Sequence, residues 1–470
     1  MRGAAAPRPG LGKSSYADHG LACGVQPAFL LWSAGPWHDF GRFICMEESE
    51  VDQENHAVAA AFVWRASARH RSDGESMAQK IPALIDTTLR EGGQTAGLCL
   101  SLTVKKCIVA GLVAAGIDEI ELGVANEECR DVKVLCDYVG RKFPQQAWSL
   151  WCRCRPADIR FAATLAPRVL SLSIPASDRQ LAGKFGRGRS WALDRAVQAI
   201  HLARSLGIER VSLGLEDASR AHQPFLGDLA RAACKAGAFR LRLADTVGIA
   251  DPDLMAELVQ GVAGAGLQVA VHCHNDFGMA TANTMAAFGA GAQWGDVTLL
   301  GLGERAGNSR TEEVMAYLAI RQAVTKYKVA ELLELCRRVA RLTNQQITAR
   351  RPLLGSAIFD CESGIHQHAL LKEPALYEPY SPALVGGRRT LVMGAGSGRH
   401  ALAAALDHLG LPRPTAADLH HLWQRMRAMA TLLRRPLTSG ELRALASQKG
   451  VPGEAGPAAR RNCSVDMVSL

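Results

Sequence analysis

The chain has 470 residues, 48% of them apolar and 21% charged, with a formal net charge of +9 and thirteen cysteines. This is the composition of a globular protein long enough for one large domain and an appendage, and it excludes a disordered or disulfide-built chain. Lys and Arg are dispersed as short pairs, which argues against a nucleic-acid face, and no apolar run reaches the ~18 residues of a membrane span.

Residues 1–80 show neither helical nor strand periodicity, and are expected to form a poorly structured extension. The segment turns acidic at Glu47 to Glu54 and basic at Arg65 to Arg71. Met77-Ala78-Gln79-Lys80 leads straight into the first apolar run, so translation is expected to begin at Met77. The cysteines are odd in number and scattered without a Cys-x-x-Cys pair, and Cys152-x-Cys154 falls on an apolar run. That pattern suits a reducing, cytoplasmic setting.

From Ile81 onward, apolar runs alternate with helical patterns. Strands are expected at Ala83–Asp86, Glu119–Gly123, Ser149–Arg153, Val169–Ser173, Arg210–Leu215, Arg240–Ala244, Gln268–His272 and Asp296–Leu300. They are read as near-continuous apolar strands of a parallel sheet. Eight such units fit a (β/α)8 TIM barrel over residues 81–345 better than an open sheet. Lys328 to Gln345 reads as a helix, 346–400 as a Pro- and Gly-containing linker, 401–445 as a small helical subdomain and 446–470 as a flexible tail.

Chemistry-bearing residues fall at or just after the expected strand C-termini, the catalytic rim of a barrel. Two clusters stand out, Leu89-Arg90-Glu91-Gly92-Gly93-Gln94 and His272-Cys273-His274-Asn275-Asp276. His272 and His274, two apart on a strand, project from one face, and Glu91 adds a hard oxygen from another strand. One carboxylate and two imidazoles can hold a divalent Mg²⁺, Mn²⁺ or Zn²⁺ ion and leave room for substrate. Against this, a lone His-x-His is more often a core pair, and an Arg-Glu dipeptide a solvated ion pair.

The first cluster, followed by Lys105, resembles the first signature of the isopropylmalate and homocitrate synthases of the DRE-TIM metallolyase superfamily. The stretch Val269-x-x-His272-x-His274-Asn275-Asp276-x-Gly278-x-Ala280-x-Ala282 resembles their second. Ala244-Asp245-Thr246-Val247-Gly248, Gly303-Glu304-Arg305-Ala306-Gly307-Asn308 and Glu362-Ser363-Gly364-Ile365-His366 match in family order. The resemblance runs from about Ile81 to about His400. It implies a Claisen-type condensation of acetyl-CoA with an α-keto acid, then thioester hydrolysis, by a homodimer in which 346–400 forms a lid over the partner's barrel mouth. It implies no leucine-sensing domain after the helical subdomain.

Carried over residue by residue, the resemblance makes Glu91, His272, His274 and Asn308 the metal ligands, with Glu91 where most relatives have Asp. Arg90 stabilises the developing negative charge. Thr246 binds the substrate carboxylate, unless Asp245-Thr246 merely caps the next helix. Gln94 and Glu121 contact the keto acid or order the metal site. Glu216 and His366 are the candidate bases, assisted by Tyr377 or Tyr380.

Three segments are similar to nitrogenase-associated homocitrate synthases: Gln94-Thr95-Ala96-Gly97, Trp151-Cys152-Arg153-Cys154-Arg155 and Gly214-Leu215-Glu216-Asp217-Ala218-Ser219-Arg220. They point to 2-oxoglutarate, with Arg153 meeting its distal carboxylate or else pairing with Glu121. A 2-isopropylmalate or citramalate synthase is the alternative. Fungal lysine-pathway relatives carry Arg where this chain has Ser212. A hydroxymethylglutaryl-CoA lyase needs a Cys within Gly301-Leu302-Gly303-Glu304-Arg305, which has none. Three departures from the family pattern, at Gly93, Leu300 and Ala395-Gly396, leave a non-catalytic paralogue as a further alternative.

Overall fold

The computed structural model describes residues 81–448 and 468–469. The expectations for residues 1–80, with the start at Met77, and for the tail from 449 to 467 lie outside them. In chain order the barrel elements are β1 (Ala83–Asp86), α1 (Leu102–Ala115), β2 (Glu119–Val124), α2 (Arg130–Lys142), β3 (Ala147–Arg153), α3 (Pro156–Thr164), β4 (Val169–Pro175), α4 (Arg189–Ser205), β5 (Val211–Glu216), α5 (Gln223–Lys235), β6 (Arg240–Asp245), α6 (Pro252–Val262), β7 (Gln268–Cys273), α7 (Ala280–Gly289), β8 (Trp294–Val297) and α8 (Thr311–Arg321). The eight strands are parallel in sequence order, and β8 pairs back to β1 to close the barrel.

Local chemistry sets the helix ends. The Ser101 and Asp251 side chains accept the amides of Val104 and Leu254, and Pro156 and Pro252 open α3 and α6 where an amide would lack a partner. Gly116 ends α1 at φ 83°, and a Cβ there would lie 2.3 Å from the Lys326 carbonyl oxygen. The next helix, α9 (Val329–Leu342), buries Leu332, Leu333, Leu335 and Val339.

The strands differ from the near-continuous apolar reading, because they alternate. Their outward side chains, Leu84, Ile120, Leu122, Leu150, Leu170, Leu172, Leu213, Leu241, Leu243, Val269 and Val271, form the apolar layer beneath the helices. Their inward side chains are mostly polar, with Ile85, Val169 and Ala270 among the apolar exceptions. Glu119 and Glu121 of β2 bond Arg240 and Arg242 of β6. Strands β2 and β6 are not neighbours, so these pairs cross the lumen. The strand register places Ser149, Ser171 and Ser212 on the same inner face.

Strand β8 is earlier and shorter than expected. Leu299–Gly301 is instead a tight turn in which Leu300 adopts φ 60°, ψ 7°, the left-handed region. Beyond α9 come β9 (Asp360–Cys361), α10 (Gly364–Lys372), β10 (Thr390–Leu391), α11 (Arg399–His408), α12 (Ala416–Leu433), α13 (Ser439–Ser447) and β11 (Val468–Ser469). Here β10 pairs parallel with β9 and antiparallel with β11. Leu402, Leu406, Met426, Leu437 and Leu442 form a second apolar cluster, separate from the barrel's. The ten described cysteines are all free.

Candidate metal centre

Beyond β1 the chain folds back sharply. The amides of Arg90 and Glu91 both donate to the Thr87 carbonyl, and Asp86 accepts the Thr88 amide at 3.0 Å. Gly92 fits this turn because a Cβ would press on Leu302 and Thr88 at 3.2 and 3.3 Å. The turn delivers Glu91, buried, to the barrel axis. From β7, His272 and His274 arrive on the same face with ring centroids 5.1 Å apart. One ligand atom from each of the three lies within 4.8 Å of the others. Each imidazole Nε2 is 3.8 Å from a different Glu91 oxygen.

These residues fit a cation. Glu91 Oε1 and Asn308 Oδ1 are buried acceptors without a hydrogen-bond partner. Asn308 places its amide nitrogen 3.3 Å from His272 Nε2 and is fixed by donating to the Cys273 carbonyl. Gly303 admits it, since a Cβ there would fall 2.0 Å from Asn308 Oδ1. Burial and the neighbouring His272 push the His274 imidazole down to about 3, so it is neutral with a free lone pair near pH 7. Burial works to raise the Glu91 carboxyl, but the charges beside it, Arg90 foremost, outweigh this and hold it below the usual carboxylate range. In the surrounding buried network three guanidiniums, Arg90, Arg240 and Arg242, face four carboxylates, Glu91, Glu119, Glu121 and Asp296. A divalent cation offsets that imbalance.

Arg90 lies beside this cluster. Its Nε donates to Glu121 at 2.6 Å, its Nη1 to Glu91, and the guanidinium stands 5.8 Å over the Trp151 ring. Glu121 is fully buried and receives Arg242 at 2.9 Å on its other oxygen. Burial raises its carboxyl, yet Arg242 and Arg90 pull it well below the usual carboxylate range. The alternative pairing of Glu121 with Arg153 is therefore corrected. Two arginines already fill Glu121, and Arg153, 49% exposed at the β3 rim, binds Asp158 at 2.6 and 3.2 Å.

The capping role for Asp245-Thr246 is corrected too. Asp251 caps α6, whereas Asp245 accepts the amides of Ile249 and Ala250 and Thr246 Oγ1 accepts the Asp217 amide at 2.8 Å. Gln94 is exposed in the Gly92–Gln94 turn. Glu216 ends β5, four strands from β1 and so across the mouth, where it accepts Ser173 at 2.8 Å and meets Lys184 Nζ at 3.0 Å. His366 stacks on Tyr377 with centroids 4.1 Å apart, both exposed. Among the described residues no hydrogen bond or ion pair joins either to the Glu91 cluster. Tyr380 packs edge-on against Phe359 at 5.7 Å instead.

Sequence reasoning missed Arg242, Asp296, Lys184 and Arg305. Asp296 Oδ2 sits 2.9 Å from His272 Nδ1 and 3.2 Å from Arg242 Nε. Arg305 forks onto Asp276 at 2.9 Å on both oxygens and reaches the Thr246 carbonyl, tying three rim loops together. A signal for Arg242 was present. Glu119-x-Glu121 and Arg240-x-Arg242 are complementary charges at the strand period of two. Of the departures, Gly93 is exposed with nothing within 4 Å of a Cβ, and Gly396 donates its amide to Glu362 at 2.9 Å.

A family model described as HMGL-like matches residues 81–339, and a homocitrate synthase post-HMGL domain-like model matches 353–432. A homocitrate synthase of Frankia alni is 41% identical over 330 residues, covering 69% of this chain and 93% of that protein. A putative (R)-citramalate synthase of Archaeoglobus fulgidus is 38% identical, covering 70% and 67%. The 2-isopropylmalate synthase 2 of Caldanaerobacter subterraneus is 36% identical, covering 79% and 97%. A hydroxymethylglutaryl-CoA lyase structure from Pseudomonas aeruginosa shares the fold, with a TM-score of 0.52 at 20% identity over 57% of this chain and 94% of its own. The chain belongs to the HMGL-like family, in the group that holds the homocitrate, 2-isopropylmalate and citramalate synthases.

Proposed function

We propose that the chain is a metal-dependent acyltransferase that condenses acetyl-CoA with 2-oxoglutarate and hydrolyses the thioester, giving homocitrate and CoA. The observation that carries this reading is the convergence of Glu91, His272 and His274 within 4.8 Å, with Arg90 beside them. A cation held by these residues and Asn308, whether Mg²⁺, Mn²⁺ or Zn²⁺, supplies Lewis acidity to the keto-acid carbonyl. Support for 2-oxoglutarate comes from the inner wall of β3 to β5. Ser149, Ser171 and Ser212 line it with hydroxyls, and those of Ser149 and Ser171 have no partner. A branched aliphatic keto acid needs methyl-lined space there instead.

Arg90, locked by two carboxylates, holds a permanent positive charge where alkoxide or enolate character develops. The Thr246 oxygen already accepts an amide, so its O–H is free to donate to the substrate carboxylate. Arg153 at the rim meets the distal carboxylate by leaving Asp158, and Gln94 on the mouth loop contacts the keto acid. Glu216 takes the methyl proton of acetyl-CoA, with Lys184 and Ser173 holding its carboxylate in place.

His366 and Tyr377 act from a second copy of the chain. Ile365, Leu376 and Tyr377 are 76%, 60% and 47% exposed, an apolar lid surface suited to a homodimer contact. Residues 346–400 are that lid and 401–445 the helical subdomain that follows it; the tail expected from 446 is corrected at its described ends, because α13 runs to Ser447 and Val468–Ser469 pairs with β10. Among the described residues no helix is long and apolar enough to cross a membrane, and a cytoplasmic enzyme supplying homocitrate to the nitrogenase cofactor is the setting that suits this reading.

The test is acetyl-CoA-dependent thiol release by the purified full chain with Mg²⁺ or Mn²⁺, across 2-oxoglutarate, 2-oxoisovalerate and pyruvate. Preference for 2-oxoglutarate, lost in Arg153→Ala with metal still bound, is expected. Preference for 2-oxoisovalerate or pyruvate would replace this reading with a 2-isopropylmalate or citramalate synthase, and no turnover with any of them would favour a non-catalytic paralogue.

A further inference from the structure

Two of the residues that face the cation are the ends of one buried circuit. Beginning at His272, Nδ1 lies 2.9 Å from Asp296 Oδ2, and the same oxygen is 3.2 Å from Arg242 Nε. Arg242 Nη1 donates to Glu121 Oε1 at 2.9 Å. Glu121 Oε2 receives Arg90 Nε at 2.6 Å, and Arg90 Nη1 closes the circuit on Glu91. Its members come from the turn after β1 and from β2, β6, β7 and β8, and every one is buried or nearly so.

We infer that Asp296 is a positioning residue for the cation site. It fixes the His272 tautomer, while Arg242 fixes Asp296. A carboxylate only accepts, so the ring nitrogen facing Asp296 must carry the proton. Nδ1–H toward Asp296 leaves the Nε2 lone pair directed at Glu91 and Asn308, where the cation belongs. A histidine ligand aimed by a carboxylate is also more basic. Arg242 adds register, because it holds Asp296 with one edge and Glu121 with the other, and Glu121 aims Arg90. The metal ligand and the oxyanion-stabilising cation are thereby set against the same guanidinium.

This inference rests on the metal reading of the site, and its test does not require turnover. Mn²⁺ affinity of the full chain, measured by electron paramagnetic resonance of the free ion, is compared among wild type, Asp296→Ala and Asp296→Asn. Asp296→Ala is expected to bind Mn²⁺ about 10–100-fold more weakly. The Arg242 guanidinium stands 3.2 Å from the Oδ2 position, so its charge favours the amide oxygen of Asn there, where it still accepts from His272. Asp296→Asn is therefore expected to bind within about threefold of wild type, given the spread of such hydrogen-bond effects.

A folded Asp296→Ala with wild-type affinity would overturn the inference, leaving Asp296 a purely structural partner of Arg242. Asp296→Asn as weak as Asp296→Ala would also overturn it, by assigning the effect to charge alone. Should Asp296→Ala not fold, ¹⁵N-histidine spectra of metal-free wild type, with His272 assigned through His272→Gln, decide the matter. Protonation at Nδ1 upholds the inference and protonation only at Nε2 overturns it. A wild-type chain that binds neither Mn²⁺ nor Zn²⁺ removes the metal reading, and this inference falls with it.

Discussion

Asp86 closes β1 just before the turn that carries Arg90 and Glu91, and replacing it with Asn should make the protein more stable above neutral pH. The carboxylate is fully buried. Burial pushes its carboxyl up from 3.8 to about 6, against the opposing hydrogen bonds from Thr88 and Thr311 and with a further push from Glu312. The folded state therefore binds more protons than the unfolded state between these values. Stability falls as pH rises through that window and levels off above about 6, a total of about 3 kcal/mol. The substituted amide does not ionise. Its oxygen still accepts the Thr88 amide, and the Thr311 hydroxyl can rotate to accept from its nitrogen, at a cost of about 1 kcal/mol for the altered pair. Asp86→Asn should thus be about 1 kcal/mol less stable than wild type at pH 4 and about 2 kcal/mol more stable at pH 8. Urea unfolding across this range, compared at equal slope, gives both numbers. A difference that does not change with pH would refute the reasoning.

Glu91→Gln should abolish metal stabilisation. At 100-fold excess over Kd, Mn²⁺ adds about 2.7 kcal/mol to the wild type, a rise of several degrees in melting temperature that should be absent in the variant; an equal rise in both would remove Glu91 from the ligand set. Leu300→Asn should stabilise the fold by about 0.5–1 kcal/mol, because φ 60° strains an L-residue that Asn tolerates. Its backbone bonds to Glu312 and Arg351 are unaffected, and a loss of stability in thermal unfolding would show that its packing outweighs the strain. Lys184→Met should slow solvent deuterium exchange into the methyl group of acetyl-CoA several-fold by releasing Glu216 from its position; an unchanged rate would assign the base to another group.

The barrel was legible because its outer apolar layer alternates with helical patterns at regular spacing, and all eight strands begin within about two residues of their expected starts. Strand β8 was misplaced because Leu299 and Leu300 extend the apolar run, whereas Leu300 in fact turns left-handed. The ligand triad was legible because the two histidines share a face at the strand period and Glu91 sits in a motif. Asp296 and Arg242 were not, since nothing local distinguishes a lumen-facing charge from one at a strand end. Their partners come from β2 and β7, 121 and 24 residues away. Arg153 looked like a partner for Glu121 by strand adjacency alone. The nearer Asp158, five residues along the chain, takes it at the rim, while two arginines that sequence distance had hidden fill Glu121.

The division between the two barrel faces has an energetic consequence. Burying an ion pair rarely stabilises more than a well-packed apolar pair of the same volume, but removing one partner leaves a charge that costs about 3–5 kcal/mol. The Glu119–Arg240 and Glu121–Arg242 bridges across the lumen thus add little net stability while making β2 and β6 mutually dependent. The apolar layer under the helices must carry the fold. What the bridges supply is position: charges fixed in a dry lumen, with Glu121 and Asp296 neutralised by Arg242 so that neither competes with Glu91 for the cation. Of the costly features, the crossing ion pairs lie in the lumen and left-handed Leu300 in a turn at its mouth, while buried Asp86 sits on the outer side of β1 against α8. A barrel with an aliphatic lumen would be more stable and would have nothing with which to aim Arg90 or His272.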